Sequence, residues 1–147
     1  MFKKTLSALL FSSLTLMALE TGETIPKDIQ TQLNMEEDKV YVLNFFASWC
    51  KACKKELALV NKVHNEKITN IIGINVDKKK EEGEAFVQEL ELQFPVIYDE
   101  EKALVETFSP IGFPAVYYVK NNKVLHTIFG AVDNIDEQIA SDIKEIK

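Results

Sequence analysis

The 147-residue chain predicts an α/β fold built on a mixed, largely parallel sheet covered by helices on both faces. Three observations point there. Apolar runs alternate with helix-period segments from Val40 onward, a pattern that favours strands joined through crossover helices. The first run, VYVLNFFAS (Val40–Ser48), is almost continuously apolar, as expected of a strand buried on both faces. The chain then returns through two strand-like runs separated by KNNK, the signature of a closing hairpin.

The elements follow in order. The N-terminus reads MFKKTLSALLFSSLTLMALE, with Lys3 and Lys4 ahead of an apolar stretch from Leu6 to Leu19. That stretch falls short of the roughly 20 apolar residues a spanning helix needs. Residues 1–18 therefore read as an export signal cleaved after Ala18, with an uncleaved membrane anchor as the alternative and a buried first helix as the plainest one. Residues 19–39 form a lead-in with at most a short element, and 40–147 the folded domain. After the first strand, a helix starting at Cys50 carries Leu57, Val60 and His64 at helical spacing, with Lys51, Lys54, Lys55 and Lys62 on the other side. NIIGINVD (Asn70–Asp77) is a second buried strand. Lys78–Gln93 is a helix turning Phe86, Leu90 and Val87 inward. Phe94–Asp99 is a third strand, and Glu100–Ser109 a short helix. Ala115–Val119 and Val124–Phe129 make the hairpin, where Asn121-Asn122 tolerates the positive φ of a tight turn. Ile135, Ile139, Ile143 and Ile146 stripe the last helix with an apolar face suited to core packing. Repeats and low-complexity segments are absent from the sequence.

Charge narrows the function. The net charge is −6, and loss of residues 1–18, which hold two lysines and no acids, moves it to −8. All 17 basic residues are lysine, so bidentate guanidinium clamps on phosphate are missing and nothing suggests nucleic-acid binding. No metal, nucleotide or organic cofactor is implied.

The two cysteines of the chain sit in SWCKAC (Ser48–Cys53), directly after its only tryptophan. A disulfide between them would close almost no loop, so it offers little as a structural staple and points to chemistry instead. A helix beginning at Cys50 directs partial positive charge and free N–H groups at that sulfur, which favours a thiolate and a lowered thiol pKa. Lys51, Lys54 and Lys55 add modestly. Cys53, one turn later, is placed to attack a mixed disulfide formed by Cys50. A passive disulfide and a zinc site compete with this reading. Zinc prefers four ligands, and His64 and His126 are isolated in the sequence; each fits packing near the core better than general-base catalysis. Outside the cytoplasm glutathione and thioredoxin do not hold thiols reduced, so dedicated partners would set the state of the pair.

Val42–Cys53, VLNFFASWCKAC, resembles the active-site strand and helix of the thioredoxin fold. The continuation CKKEL, the later NVD, FPVIYDE and IGFPAVYYV together resemble its TlpA-like branch of exported thiol–disulfide oxidoreductases, best known from cytochrome c maturation. The likeness runs from about Val40 to the C-terminus. It implies a three-layer thioredoxin-like fold whose mixed central sheet carries an inserted helix–strand unit, Lys79–Tyr98. It also implies that Pro114 is the cis-proline beside the disulfide, with Pro95 as a rival in a similar FPV context. Phe113 would then pair with an extended substrate segment, and Trp49 would shield the disulfide and shape the docking surface. Glu56 shares a helix face with Cys53, Val60 and Val63. Desolvated there, its carboxyl pKa would rise toward the range useful for proton transfer, as the matching glutamate of this branch is associated with tuning the thiols; the alternative is a solvated Glu56 paired with a lysine. Asn44 replaces the buried aspartate of ordinary thioredoxins. Lys51-Ala52 departs from the usual x-Pro, and Ala58 from a frequent helix proline, which leaves the redox potential open.

The expected function is an exported, periplasmic or otherwise extracytoplasmic oxidoreductase that reduces disulfides in protein substrates. Cys50, Cys53 and Glu56 would be catalytic, with Trp49, Phe113 and Pro114 binding substrate. The expected partners are protein thiols or disulfides and a membrane-bound or exported electron donor; the membrane itself enters only if the N-terminal segment stays uncleaved. Alternatives are an oxidase running the exchange backwards and a non-catalytic binding module. A peroxide-reducing enzyme of the same fold fits less well, because Ala47 stands where such enzymes keep a threonine or serine.

Overall fold

The computed structural model describes residues 17–146. The export-signal expectation, residues 1–18, lies almost wholly outside the described residues. Ten elements follow in chain order: α1 (Lys27–Leu33), β1 (Val40–Phe46), α2 (Lys51–Asn65), β2 (Asn70–Asn75), α3 (Lys80–Glu89), β3 (Val96–Tyr98), α4 (Ala103–Phe108), β4 (Ala115–Lys120), β5 (Lys123–Phe129) and α5 (Ile135–Ile146). The strands form one sheet in the order β3-β2-β1-β4-β5. Pairings β1–β2 and β2–β3 are parallel, whereas β1–β4 and β4–β5 are antiparallel. The sheet is therefore mixed in equal parts rather than largely parallel. The hairpin inserts beside β1 and contributes two antiparallel ladders to the two made by crossover connections.

Strand β1 is the centre of the sheet and is buried on both faces, as its composition predicts. Its residues alternate. Val42, Asn44 and Phe46 share a face with Tyr118, whose hydroxyl donates to Asp142 of α5 at 2.8 Å, and Phe46 meets Phe86 of α3. Leu43 and Phe45 point the other way, where Phe45, Phe108 and Tyr117 interlock at centroid distances of 4.8–5.4 Å, a favourable aromatic arrangement. Helices α2 and α5 pack together on the first of these faces, and Phe108 brings α4 onto the second. Burial of the two tyrosine rings pushes their phenol pKa values upward.

The lead-in belongs to this core. Ile25, Ile29 and Leu33 are buried, and backbone bonds from Gly22 N–H to Val124 C=O and from Ile25 N–H to Asn122 C=O stitch it to the start of β5. This covers part of an otherwise open sheet edge. The inserted unit keeps its expected bounds, but its elements are shorter than the Lys78–Gln93 helix and Phe94–Asp99 strand expected: α3 spans Lys80–Glu89 and β3 only Val96–Tyr98. At the hairpin, Asn121 and Asn122 both take positive φ, 49° and 58°, the conformation anticipated from the two asparagines.

Candidate active site

Strand β1 delivers the chain into a turn in which Cys50 N–H donates to Ala47 C=O at 3.1 Å. Helix α2 begins immediately, and Cys50 is its N-cap, in extended backbone conformation. Its Sγ accepts the backbone N–H of Cys53 at 3.2 Å. A sulfur thus occupies the place where a serine or aspartate oxygen usually satisfies the first free N–H groups of a helix. No acidic residue lies in that first turn. Cys50 and Cys53 are joined as a disulfide with Cα atoms 5.3 Å apart. Cys50 keeps 7% exposure and Cys53 none, so of the pair only Cys50 touches the surface.

The lysines contribute less than their number suggests. Lys54 pairs with Glu89 and Lys55 with Asp133, all exposed; such pairs neutralise most of the field they would add. Lys51 forms no ion pair among the described residues.

Glu56 is buried on the face it was expected to share with Cys53, Val60 and Val63, and it pairs with no lysine among the described residues. Its Oε2 accepts the N–H of Val132 at 2.9 Å, in the loop leading to α5. Desolvation raises its carboxyl pKa, opposed by the Val132 hydrogen bond and, more weakly, by the nearby Asn44 amide. No regular hydrogen bond joins Asn44 to Glu56, however: both polar atoms of Asn44 and Glu56 Oε1 are buried without a partner. Burial sets the direction, because an orphaned carboxylate oxygen in a dry site disfavours ionisation more than a misaligned amide favours it.

On the outer side, Trp49 is 63% exposed and meets the half-buried Phe113 edge-on, ring centroids 5.7 Å apart. The Phe113–Pro114 bond is cis, and it is the only cis bond among the described residues, so Pro95 is trans. Pro114 C=O accepts Gly130 N–H, while Phe113 lies just outside the β1–β4 ladder, leaving its backbone available. Beside it Ile111 is 84% exposed. His64 sits at the far end of α2, about 20 Å from its start at 1.5 Å per residue, half-buried against Phe94. His126 is exposed beside Tyr118 rather than near the core. A cavity of about 800 Å³ lined by Tyr41, His64 and Lys120 holds neither cysteine. Among the described residues, no cluster of three His, Cys, Asp or Glu side chains could hold a metal ion.

One group escaped sequence reasoning. The buried Asp77 carboxylate accepts Ser48 N–H at 3.0 Å and Ser48 Oγ–H at 2.7 Å, directly below the turn that ends at Cys50. The hints were an acid closing the apolar run NIIGINVD and its place in the NVD segment of the family resemblance, neither of which assigned it a role.

Residues 17–127 match the AhpC/TSA family. The chain is 29% identical over 139 residues to a thiol-disulfide oxidoreductase ResA of Bacillus thuringiensis subsp. konkukian, covering 87% of this chain and 79% of that one. It superposes on a putative thiol:disulfide interchange protein DsbE from Chlorobium tepidum with TM-score 0.74 and 20% identity, over 87% and 98% of the two chains. StoA from Bacillus subtilis gives TM-score 0.66 and 21% identity, over 72% and 83%. At those identities the two structures speak for the fold alone.

Proposed function

The chain belongs to the AhpC/TSA family, and on that premise we propose that it is an exported thiol–disulfide oxidoreductase that reduces protein disulfides with Cys50 and Cys53. The observation that carries the proposal is the sulfur cap: Cys50 Sγ already accepts an N–H of α2, so a thiolate left there on reduction keeps a hydrogen bond and faces the positive end of the helix.

The exchange then runs in two steps. Cys50 thiolate attacks one sulfur of a substrate disulfide, forming a mixed disulfide and releasing one substrate thiolate. Cys53 loses its proton and attacks Cys50 Sγ, expelling the second substrate sulfur as a thiolate that takes its proton from solvent and leaving Cys50–Cys53 oxidised, with two electrons passed to the substrate. Glu56, with its pKa raised by burial on the same helix face, serves as acceptor for the Cys53 proton. Trp49, Phe113 and Pro114 present the docking surface, where the free Phe113 backbone pairs with an extended substrate segment. Ala47 lacks the hydroxyl of the peroxide-reducing pattern, so peroxide is not the proposed substrate.

Export follows from residues 1–18, and a membrane-bound or exported donor would return the electrons. Among the described residues no helix is long and apolar enough to cross a membrane. Reduction of proteins on the way to cytochrome c is the role that the TlpA-like resemblance implies; the curated relatives are named thiol-disulfide oxidoreductases. A Cys53→Ser variant expressed with its N-terminal segment tests the scheme. It should accumulate mixed disulfides through Cys50 with exported proteins. If alkylated, non-reducing gels show none, the exchange role is wrong.

A further inference from the structure

Nothing in the two-step exchange uses Asp77, yet it is 2% exposed and sits at the junction of three segments. Its carboxylate spends both oxygens on the turn before the reactive thiol: Oδ1 takes the Ser48 hydroxyl and Oδ2 the Ser48 N–H. Oδ2 also accepts Asn75 Nδ2–H at 2.7 Å, and Asn75 Oδ1 accepts the Asp77 N–H. Lys102, at the start of α4, donates Nζ–H to the carbonyls of Val76 and Asp77 at 2.6 and 3.2 Å. Asn75 is itself pressed against α3, where a Cβ at Gly83 would collide with its side chain. The carboxylate of Asp77 thereby links Asn75 to the Ala47–Cys50 turn, while Lys102 at the start of α4 holds the backbone on either side of it.

We propose that Asp77 is a positioning residue for the reactive thiol: gripping Ser48 at two points, it holds the Ala47–Cys50 turn so that Cys50 stays at the N-cap of α2. The inference rests on the exchange chemistry proposed above. Its physical basis is the short range of the helix-end field, which fades within one turn. A cap sulfur that swings outward loses both the Cys53 N–H and that field. In the disulfide the Cys53 bond constrains the sulfur, so the tether matters most in the reduced protein. Loosening it should therefore destabilise the thiolate and move the thiol–disulfide equilibrium toward the disulfide.

Two variants test this, Ser48→Ala and Asp77→Asn, each prepared as the reduced full chain. Two readouts apply: the pH profile of Cys50 alkylation by iodoacetamide and the equilibrium with glutathione. One net hydrogen bond corresponds to about fivefold in an equilibrium. Ser48→Ala should lower the neutral-pH alkylation rate and favour the disulfide by about that factor, with the profile displaced to higher pH. The double variant should shift no further than Asp77→Asn alone, because the two groups act as a unit. Should Asp77→Asn fail to fold, half-buried Ser48→Ala still carries the test. Unchanged profile and equilibrium in a folded variant, or strictly additive shifts, would overturn the tether. A wild-type Cys50 titrating as a free thiol would instead defeat the exchange chemistry itself, and that result is read on the parent protein alone.

Discussion

Glu56 Oε2 and the backbone N–H of Val132 meet at 2.9 Å, joining the middle of α2 to the loop before α5, while Glu56 Oε1 stays buried and unpartnered. The carboxyl group is thus half-satisfied, with pKa raised chiefly by desolvation. For a carboxyl raised on folding, the native state holds more protons than the unfolded state between the two pKa values, so stability falls as pH climbs through that window. Below the ordinary carboxylate range the penalty is absent.

Glu56→Gln should consequently melt close to the wild type at pH 4 and higher at pH 7, by about 1 kcal/mol. Thermal melts across that range check it. The same variant should slow release of substrate from the Cys50 mixed disulfide, since it removes the proposed acceptor of the Cys53 proton.

Trp49, edge-on to Phe113, and Ile111, two residues before Phe113 in the chain, are exposed apolar side chains. Trp49→Ala should cost about tenfold in kcat/KM toward a protein disulfide, as expected for an aromatic anchor worth roughly 1.4 kcal/mol. Exchange with glutathione should stay unchanged, and stability should shift by less than about 0.5 kcal/mol. Ile111→Ser should behave alike, more mildly. Steady-state kinetics with the two substrates separates docking from chemistry.

Gly83 offers a test of the packing behind the active-site turn. In an ordinary helix interior, glycine to alanine stabilises by about 1 kcal/mol. Here the new Cβ would strike the Asn75 side chain, which holds Asp77. Gly83→Ala should therefore destabilise by about 1–3 kcal/mol, visible in urea unfolding. A gain in stability would show that Asn75 has room to move.

Much of this arrangement was legible in the chain because each element carried its own signal. Continuous burial marked β1, the two asparagines marked the hairpin, and the helix count from Cys53 placed Glu56 inward. The cis bond at Pro114 came from family resemblance, since residue type alone does not separate it from Pro95. Pairing direction was misjudged: alternating strands and helices announce crossovers, but strand periodicity is the same for parallel and antiparallel neighbours. The lead-in hid its core residues because Ile25, Ile29 and Leu33 are diluted among polar neighbours. Asp77 stayed invisible for a different reason. Its partner Ser48 lies 29 residues away, and no local pattern announces a hydrogen bond formed only when β1 and β2 align side by side.

The decisive experiment is the alkylation rate of Cys50 in the reduced wild-type protein, followed from acid to alkaline pH. A sulfur held at the start of α2 should react with a midpoint well below the roughly 8.5 of a free cysteine, and the midpoint should return to that value in denaturant. A folded, reduced protein whose Cys50 reacts with the midpoint of a free cysteine, or does not react at all, would leave the helix cap without chemical effect.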